Sequence, residues 1–477
     1  MALILTFLVN AALNLVLGLA VAKFLGPQAF GQYAVAMAVA VVLNAVGFEW
    51  LRLSATRFYS ERTRRDDPGL RATLDAGYAA VAIGLALLMA LAWLTGLDLG
   101  MPTALLAAAT AAAIGMGLFD YQAALARARF LERSYLRLVL LKNAAAFGLM
   151  VGGAALFGDP RLVLAGAALS AGAATLVAWR SLSDGGVGRT PAERRRLGRF
   201  AAYAAPLVAA SVVYQLIPLI NRGVLAARDG YAEAGQFSLS ADLGLRVFTT
   251  LGSALDILLF QLAVRTDASH GRAEAERQVG RNIALVVALL LPFAAGLWLI
   301  LPALETLVVP SAYRGPFARY AGVLIPGFFA LALIQYALNP IFQLRQQTAP
   351  VVIAALVALC VDGLLVTALP PLIGATGVAV AQIAGFAAAA AVVTVLALKG
   401  GGVALPWRDI GLSAAATVAM IAALMPLRDQ THILALAGSV ALGIAVYGGF
   451  VYAFDIANLR SLAGARFGRR AAAAPAE

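Results

Sequence analysis

The chain has 477 residues, of which 62% are hydrophobic and 13% are charged, and its formal net charge is +12. Soluble domains have roughly half apolar and a quarter charged residues, so this composition excludes an ordinary water-soluble protein. Apolar runs long enough to cross a hydrocarbon core of about 30 Å as helices recur along the sequence, which predicts an all-α polytopic membrane protein. The basic residues lie between these runs, where they set orientation, so the charge does not indicate a nucleic-acid partner.

The first apolar run, near residues 2–22, has no basic region before it and contains Asn10 and Asn14, which favours a retained span over a cleaved signal peptide. Later runs such as 79–94 are apolar on every face, whereas a barrel strand would alternate. The single cysteine, Cys360, has no partner for a disulfide and no nearby histidine, so we predict no metal and no cofactor.

Charged or Pro/Gly-rich breaks divide the chain into fourteen predicted spans. Their approximate ranges are 2–22, 33–51, 73–95, 103–126, 138–157, 161–181, 202–225, 237–263, 282–308, 319–343, 350–370, 376–398, 408–427 and 432–454. The predicted domains are a six-helix lobe at 1–182, a basic linker at 183–199, a second six-helix lobe at 200–400, two additional helices within 401–456, and a tail at 457–477.

The loops on the side of the N-terminus carry a large excess of Lys and Arg over the opposite loops. By the positive-inside rule, this excess places both termini in the cytoplasm. An even number of spans is then required, and fourteen satisfies that condition.

A short segment at the start of the second span is repeated at the start of the eighth. The stretch 29–36 and the stretch 233–240 share Gly-Gln followed by an aromatic residue. Because the two copies have equivalent ranks and the same predicted membrane orientation, they indicate a parallel repeat with two pseudo-symmetric six-helix lobes.

Three segments carry a resemblance to a known family. Residues 23–33, Lys-Phe-Leu-Gly-Pro-Gln-Ala-Phe-Gly-Gln-Tyr, resemble the opening signature of polysaccharide flippases in the multidrug, oligosaccharidyl-lipid and polysaccharide exporter superfamily. Asn221-Arg222 with the 234–240 stretch is similar to that family's acidic-Arg pair and Gly-x-Tyr-Ser, although Asn and Phe replace the usual Asp and Tyr. The Pro-Pro turn and Gly-x-x-Gly-x-Ala pattern of 369–381 is similar to the entry to its twelfth helix.

The resemblance implies two six-helix bundles in a V shape, a central cavity and alternating access. It also implies a substrate, an undecaprenyl-pyrophosphate-linked oligosaccharide repeat unit carried across the cytoplasmic membrane for polysaccharide export. Other polysaccharide assembly proteins are candidate partners, together with the membrane lipids.

The pyrophosphate of such a substrate needs fixed cations, because an unpaired buried ion costs several kcal/mol or more. Arg246 lies near the middle of the eighth span, where arginine must face protein or water. Asp242 lies four residues earlier on the same helical face. The two side chains either neutralise each other, or phosphate competes for Arg246 while Asp242 holds the charge or binds a coupling proton or cation.

Further cations are candidates for the same site. Arg52, beside Glu49, ends the second span, while Lys23 and Arg222 lie near the outer ends of theirs. Snorkelling to the lipid headgroups is the alternative explanation for each of them.

Polar side chains inside the spans form a second group of candidates. Asn10, Asn14, Tyr214 and Gln215 are suited to bind sugar hydroxyls or to bond neighbouring helices. Asp256 is a further intramembrane acid, for which ion coupling is one interpretation.

Two other functions compete with the flippase hypothesis. A cation-coupled multidrug exporter of the same superfamily would share the fold, although the first span here has no acid. A membrane glycosyltransferase or polysaccharide polymerase would need a large outer loop with acidic or histidine groups, and the predicted outer loops are short. No Gly-x-x-x-x-Gly-Lys-Ser/Thr loop is present, so we predict a transporter that is not an enzyme and does not hydrolyse ATP.

Overall fold

The computed structural model describes residues 2–97, 100–184, 191–401 and 403–460, with the side chains of 2–11 and 256–258 outside the description. Within these ranges all long elements are helices. They are α1 Ala2–Phe58, α2 Glu61–Asp66, α3 Pro68–Thr95, α4 Thr103–Ala128, α5 Glu132–Ala146, α6 Gly152–Phe157, α7 Pro160–Leu182, α8 Arg194–Arg228, α9 Tyr231–His270, α10 Arg272–Leu299, α11 Leu301–Val308, α12 Pro316–Leu333, α13 Asn339–Leu344, α14 Ala349–Ala368, α15 Pro370–Ile373, α16 Thr376–Lys399, α17 Trp407–Leu424 and α18 Ile433–Phe454.

Thirteen helices in the described ranges are long and apolar enough to cross a membrane. The first, α1, contains a break at Gly26, where φ is 69° and ψ is 171°, and Pro27 follows the break. Since a positive φ is readily adopted only by glycine, Gly26 separates α1 into two arms. Each arm is long enough to span, which gives the fourteen long helices predicted from the sequence.

Two spans continue through short π-helical segments. Residues Phe147–Val151 join α5 to α6, and Ile334–Leu338 join α12 to α13. A chain inside lipid must satisfy its backbone polar groups internally, and these segments keep the helical hydrogen bonding continuous through each span.

The chain divides into two compact units, unit 1 at Met1–Leu239 and unit 2 at Ser240–Glu477. The six-helix lobes predicted at 1–182 and 200–400 divide the chain differently and stay a prediction. Helix α8 packs on α1 within unit 1.

Small residues hold the interior of unit 1 together. Helix α4 packs against both α1 and α7, and its contact with α1 is lined by alanines, among them Ala36, Ala40 and Ala109. A Cβ at Gly115 would lie 2.7 Å from Cα of Ala168, so glycine is required where α4 meets α7. Close backbone approach through small residues is the usual basis of helix packing in membranes.

Unit 2 is built around two packed groups of helices. Helix α16 lies against α14 and α12, while α17 lies against α10 and α18. The last two spans, α17 and α18, are therefore integrated with α10 of the same unit.

The structure adds detail that hydropathy did not give. A short helix, α2, follows the second span and begins with a capping box between Ser60 and Thr63. Helix α8 begins at Arg194, so the basic part of the predicted linker is helical, whereas residues 185–190 of that linker and 461–477 of the tail lie outside the described residues.

Candidate functional site

Arg52 and Glu49 are paired on the second arm of α1. Nη2 of Arg52 donates to Oε1 of Glu49 at 2.7 Å, and the Arg52 side chain is 35% exposed. A guanidinium has five N–H donors, so this single hydrogen bond leaves Arg52 with donors for an anion. The sequence indicated only that the two residues are close neighbours at the end of the second span.

Arg222 is buried inside unit 1, with 7% of its surface exposed. Its Nη1 donates to the carbonyl oxygen of Ala34 at 3.2 Å, which connects α8 to the second arm of α1. The structure therefore places this candidate at a helix contact, where its charge-assisted bond holds two spans together.

The two copies of the repeated segment pack against each other. A Cβ at Gly31 would lie 1.7 Å from the carbonyl oxygen of Tyr231, and a Cβ at Gly235 would lie 2.2 Å from the carbonyl oxygen of Pro27. Neither glycine can carry a side chain in this arrangement. The Gly-Gln motif, read from the sequence as a sign of internal repetition, thus also forms a backbone crossing between α1 and the start of α9.

The other candidates of unit 1 are dispersed over α1 and α8. Lys23 is exposed, with Nζ 6.0 Å from the ring centroid of Phe24, and Asn14 is half-buried on the first arm of α1. Gln215 and Tyr214 are half-buried on α8, and the Tyr214 hydroxyl is buried without a hydrogen-bond partner among the described residues. The side chain of Asn10 lies outside the described residues.

Arg246 and Asp242 lie one turn apart on α9, in unit 2. Arg246 is exposed and Asp242 is half-buried. The backbone carbonyl of Arg246 accepts hydrogen bonds from the hydroxyls of Thr249 and Thr250, at 3.1 and 2.7 Å. The side chain of Asp256, farther along the helix, lies outside the described residues.

A charged cluster that the sequence did not indicate lies where α3, α4 and α7 of unit 1 approach one another. Arg71 is 6% exposed, and its Nε donates to both carboxylate oxygens of Asp75 at 2.9 Å. The Tyr121 hydroxyl donates to the same carboxylate at 2.6 Å, and Nη1 of Arg71 donates to the carbonyl oxygen of Leu182 at 3.0 Å. A cavity of about 260 Å³ opens beside Arg71 and Asp75 and is also lined by Gln122.

Asp184, which follows the end of α7, adds further charged groups to this cluster. Its carboxylate, 3% exposed, receives hydrogen bonds from the Tyr59 hydroxyl and from Nε of Arg64, and Nη1 of Arg129 lies at 3.4 Å. Burial and the adjacent Asp184 carboxylate raise the pKa of Tyr59 to about 12. We call Arg64, Arg71, Asp75, Arg129 and Asp184 the arginine-aspartate cluster.

Arg129 connects the cluster to the short helix α2. Its Nε donates to Glu61 at 3.2 Å, and its Nη1 donates to the carbonyl oxygen of Ser181 at 3.3 Å. Desolvation opposes ionisation of Glu61, but the guanidinium groups of Arg129 and Arg64 outweigh it and lower the pKa of Glu61.

Unit 2 contains an arginine in a comparable position. Arg345 follows α13, donates through Nε to Glu276 at 3.0 Å, and donates through Nη1 to the carbonyl oxygen of Ala397 at 3.4 Å. Arg129 follows α4 and bonds a carboxylate and the end of α7, and Arg345 likewise bonds a carboxylate and the end of α16. Neither arginine stood out in the sequence, because its partners are 52 or more residues away.

The chain shares its fold with solved membrane transporters. It superposes on the lipid II flippase MurJ with a TM-score of 0.73 at 12% identity, covering 95% of this chain and 99% of that one. For a multidrug resistance MATE family transporter of the MOP superfamily the TM-score is 0.63 at 13% identity, covering 82% and 94%. A MOP superfamily transporter from Pyrococcus furiosus gives 0.54 at 14% identity, covering 83% and 94%.

Sequence comparison adds one curated relative. Protein DETOXIFICATION 13 of Arabidopsis thaliana is 31% identical over 188 residues, which are 39% of this chain and 36% of that protein. The match thus spans little more than a third of the relative's length. No protein-family model matches the chain. The chain therefore has the helical fold of these solved transporters, which confirms the all-α polytopic fold with about fourteen spans expected from the sequence.

Proposed function

We propose that this protein flips undecaprenyl-pyrophosphate-linked oligosaccharide repeat units across the bacterial cytoplasmic membrane by alternating access, for polysaccharide export. Both termini then face the cytoplasm, as the distribution of basic residues favours. The fold shared with a lipid II flippase supports a lipid-linked substrate. The same fold occurs in multidrug transporters, so side chains, and not the fold, would determine which substrate is bound.

The observation that carries the proposal is an apolar cavity of about 330 Å³ in unit 2, between α10, α17 and α18. Its lining includes Gly296, Leu297, Met420, Val440 and Ile444. A polyprenyl chain is a long hydrocarbon, and inside a bilayer van der Waals packing against such side chains, rather than removal from water, would hold it in the cavity. The two helices beyond the first twelve thus provide an apolar surface suited to a lipid carrier.

Cations in the spans suit the other end of the substrate. The exposed guanidinium of Arg246 in unit 2 and the part-exposed guanidinium of Arg52 in unit 1 can each form charge-assisted bonds with phosphate oxygens. Lys23 is exposed as well, whereas Arg222 is buried and donates to the carbonyl of Ala34. We assign phosphate binding separately to Arg246 in unit 2 and to Arg52 in unit 1, and sugar contacts to Asn14, Tyr214 and Gln215 of unit 1.

The direct test is reconstitution into liposomes, with translocation of undecaprenyl-pyrophosphate-linked oligosaccharide measured beside efflux of a cationic drug. We expect translocation of the lipid-linked sugar and no drug efflux. Drug efflux without lipid translocation would instead assign the protein to the multidrug exporters.

Replacing Arg246 with alanine should lower lipid-linked sugar translocation at least ~10-fold, because one charge-assisted bond to phosphate is lost. Arg265→Ala is the matched control, since it removes an arginine from the same helix near its loop end. Translocation rates are compared at equal protein per liposome. Unchanged transport by R246A would remove this residue from the site.

Filling the apolar cavity should also block transport. A Cβ at Gly296 meets only the Cε of Met420, at 4.0 Å, so the larger side chain of Gly296→Leu would occupy the cavity itself. We expect G296L to accumulate normally and to lose lipid-linked sugar translocation to the same extent as R246A. Gly438→Leu is the control, because a Cβ there meets nothing within 4 Å. Full translocation by G296L would mean that the polyprenyl chain binds elsewhere.

A further inference from the structure

A carboxylate that the sequence analysis passed over lies inside α4. Asp120 is eight residues before the end of this helix at Ala128, about 12 Å along its axis. The Nδ2 of Asn44, on the second arm of α1, donates to Oδ2 of Asp120 at 3.4 Å. The other polar atom of that amide, Oδ1, is buried and has no hydrogen-bond partner among the described residues.

Three cations influence Asp120 without contacting it, and one of them, Arg52, is bonded to Glu49 at 2.7 Å. Arg52 on α1, Lys142 on α5 and Arg127 on α4 attract its charge from a distance. In the described part of the chain, Asp120 forms no ion pair within 4.0 Å.

The remaining neighbours of α4 do not supply a counter-ion. On α3, Arg71 and Asp75 bond each other and Tyr121, the residue after Asp120. On α7, the charged residues are Arg161 and Arg180, near the two ends of that helix. Asp120 is therefore a carboxylate held in a membrane span by one long amide hydrogen bond.

Such a carboxylate is costly while ionised, and a bound proton removes that cost. The neutral acid then has an O–H that needs an acceptor. Rotation of the Asn44 amide by a half-turn exchanges its oxygen and nitrogen, and the unpartnered Oδ1 can take that proton's hydrogen bond. The pair thus has a hydrogen bond for each state, N–H to carboxylate or O–H to carbonyl.

We propose that Asp120 is a proton-binding site, that Asn44 is its partner in both protonation states, and that its proton is coupled to anion binding at Arg52. The coupling part rests on the proposed function, since it takes a pyrophosphate at Arg52. Asn44 and Arg52 lie eight residues apart on the same arm of α1. With only Glu49 bonded to Arg52, the guanidinium still stabilises the Asp120 carboxylate, and a pyrophosphate bound to Arg52 would outweigh that effect.

The proton balance follows from this arrangement. When pyrophosphate binds at Arg52, one proton moves from water to the Asp120 carboxylate. The proton offsets one negative charge of the bound pyrophosphate. When the substrate leaves, Arg52 attracts the carboxylate again and the proton returns to water. No covalent bond other than O–H forms or breaks.

The test is calorimetry of undecaprenyl pyrophosphate binding to the purified full chain, in two buffers that differ in ionisation enthalpy. The difference between the two binding enthalpies counts the protons taken up, and we expect about one proton per bound molecule near neutral pH. The Asp120→Asn protein should bind undecaprenyl pyrophosphate without proton uptake by the protein, so that only protons exchanged by the ligand itself are counted. Asp66→Asn, which removes an exposed carboxylate from α2, should behave as the unmodified protein.

The outcomes separate this inference from the proposed function. Binding with equal enthalpies in the two buffers would overturn the proton site while leaving the flippase proposal standing. Absence of binding would contradict the flippase proposal. A requirement for Na⁺ with no proton uptake would replace the proton with a cation, and uptake that persists in D120N would move the site to another residue. Because the first measurement uses the unmodified chain, it does not depend on the folding of D120N.

Discussion

Gly31→Ala is expected to destabilise the protein by at least ~3 kcal/mol and to abolish lipid-linked sugar translocation. The added Cβ would lie 1.7 Å from the carbonyl oxygen of Tyr231, and the atoms that must move are backbone. A side chain could rotate away from such a contact, but the start of α9 can yield only by shifting as a helix. Gly235 faces Pro27 in the reciprocal contact, so neither helix has room for an added side-chain atom at the crossing.

The loss of stability is measured by heating the detergent-solubilised protein and quantifying the remaining folded protein by size-exclusion chromatography. Gly18→Ala in α1 and Gly223→Ala in α8 are matched controls, because a Cβ at either position meets nothing within 4 Å. Alanine in a helix interior is intrinsically favoured over glycine by up to about 1 kcal/mol, so the controls should melt at or above the unmodified protein. A G31A protein that melts with these controls and transports normally would show that α1 and α9 do not cross this closely.

Sequence patterns predicted the spans of this chain well, for a clear physical reason. A span must satisfy its backbone internally and face hydrocarbon, so length and hydropathy alone identify it. The break between the first two spans also has a local cause, the positive φ of Gly26 followed by Pro27. The repeated Gly-Gln motif was visible too, but the sequence could not show that Gly31 and Gly235 lie at one contact.

The candidate site was harder to predict, because a polar residue in a span has several uses that differ only in three dimensions. Arg222 was a candidate cation of the site with snorkelling as the alternative, and the sequence could not show its bond to the carbonyl of Ala34, 188 residues away. Asp120 was not singled out from the sequence, because its hydrogen bond with Asn44 joins residues that are 76 positions apart. Such pairings follow from helix packing, which hydropathy does not encode.

Asp184→Asn is expected to cost ~3–5 kcal/mol of unfolding free energy, because it leaves buried cations uncompensated. The carboxylate is 3% exposed and bonds Arg64 and Arg129, and Arg71 lies 3.7 Å from it. Removing the negative charge leaves three guanidinium groups close together, and the amide that replaces it adds donors where acceptors are needed. The helices that these arginines join, α2, α3 and α4, should then separate from α7 at lower temperature.

Asp66→Asn is again the matched control, because its ion pair with Arg62 joins side chains that are 68% and 92% exposed and is 3.6 Å long. Exposed pairs contribute ~0–1 kcal/mol, so D66N should melt with the unmodified protein. A double variant, Asp184→Asn with Arg64→Gln, should recover part of the loss, since it removes one of the uncompensated cations. Equal melting of D184N and D66N would mean that the arginine-aspartate cluster is solvated and does not hold unit 1 together. Partial rescue by the double variant would show that charge compensation, and not merely the shape of Asp184, joins these helices.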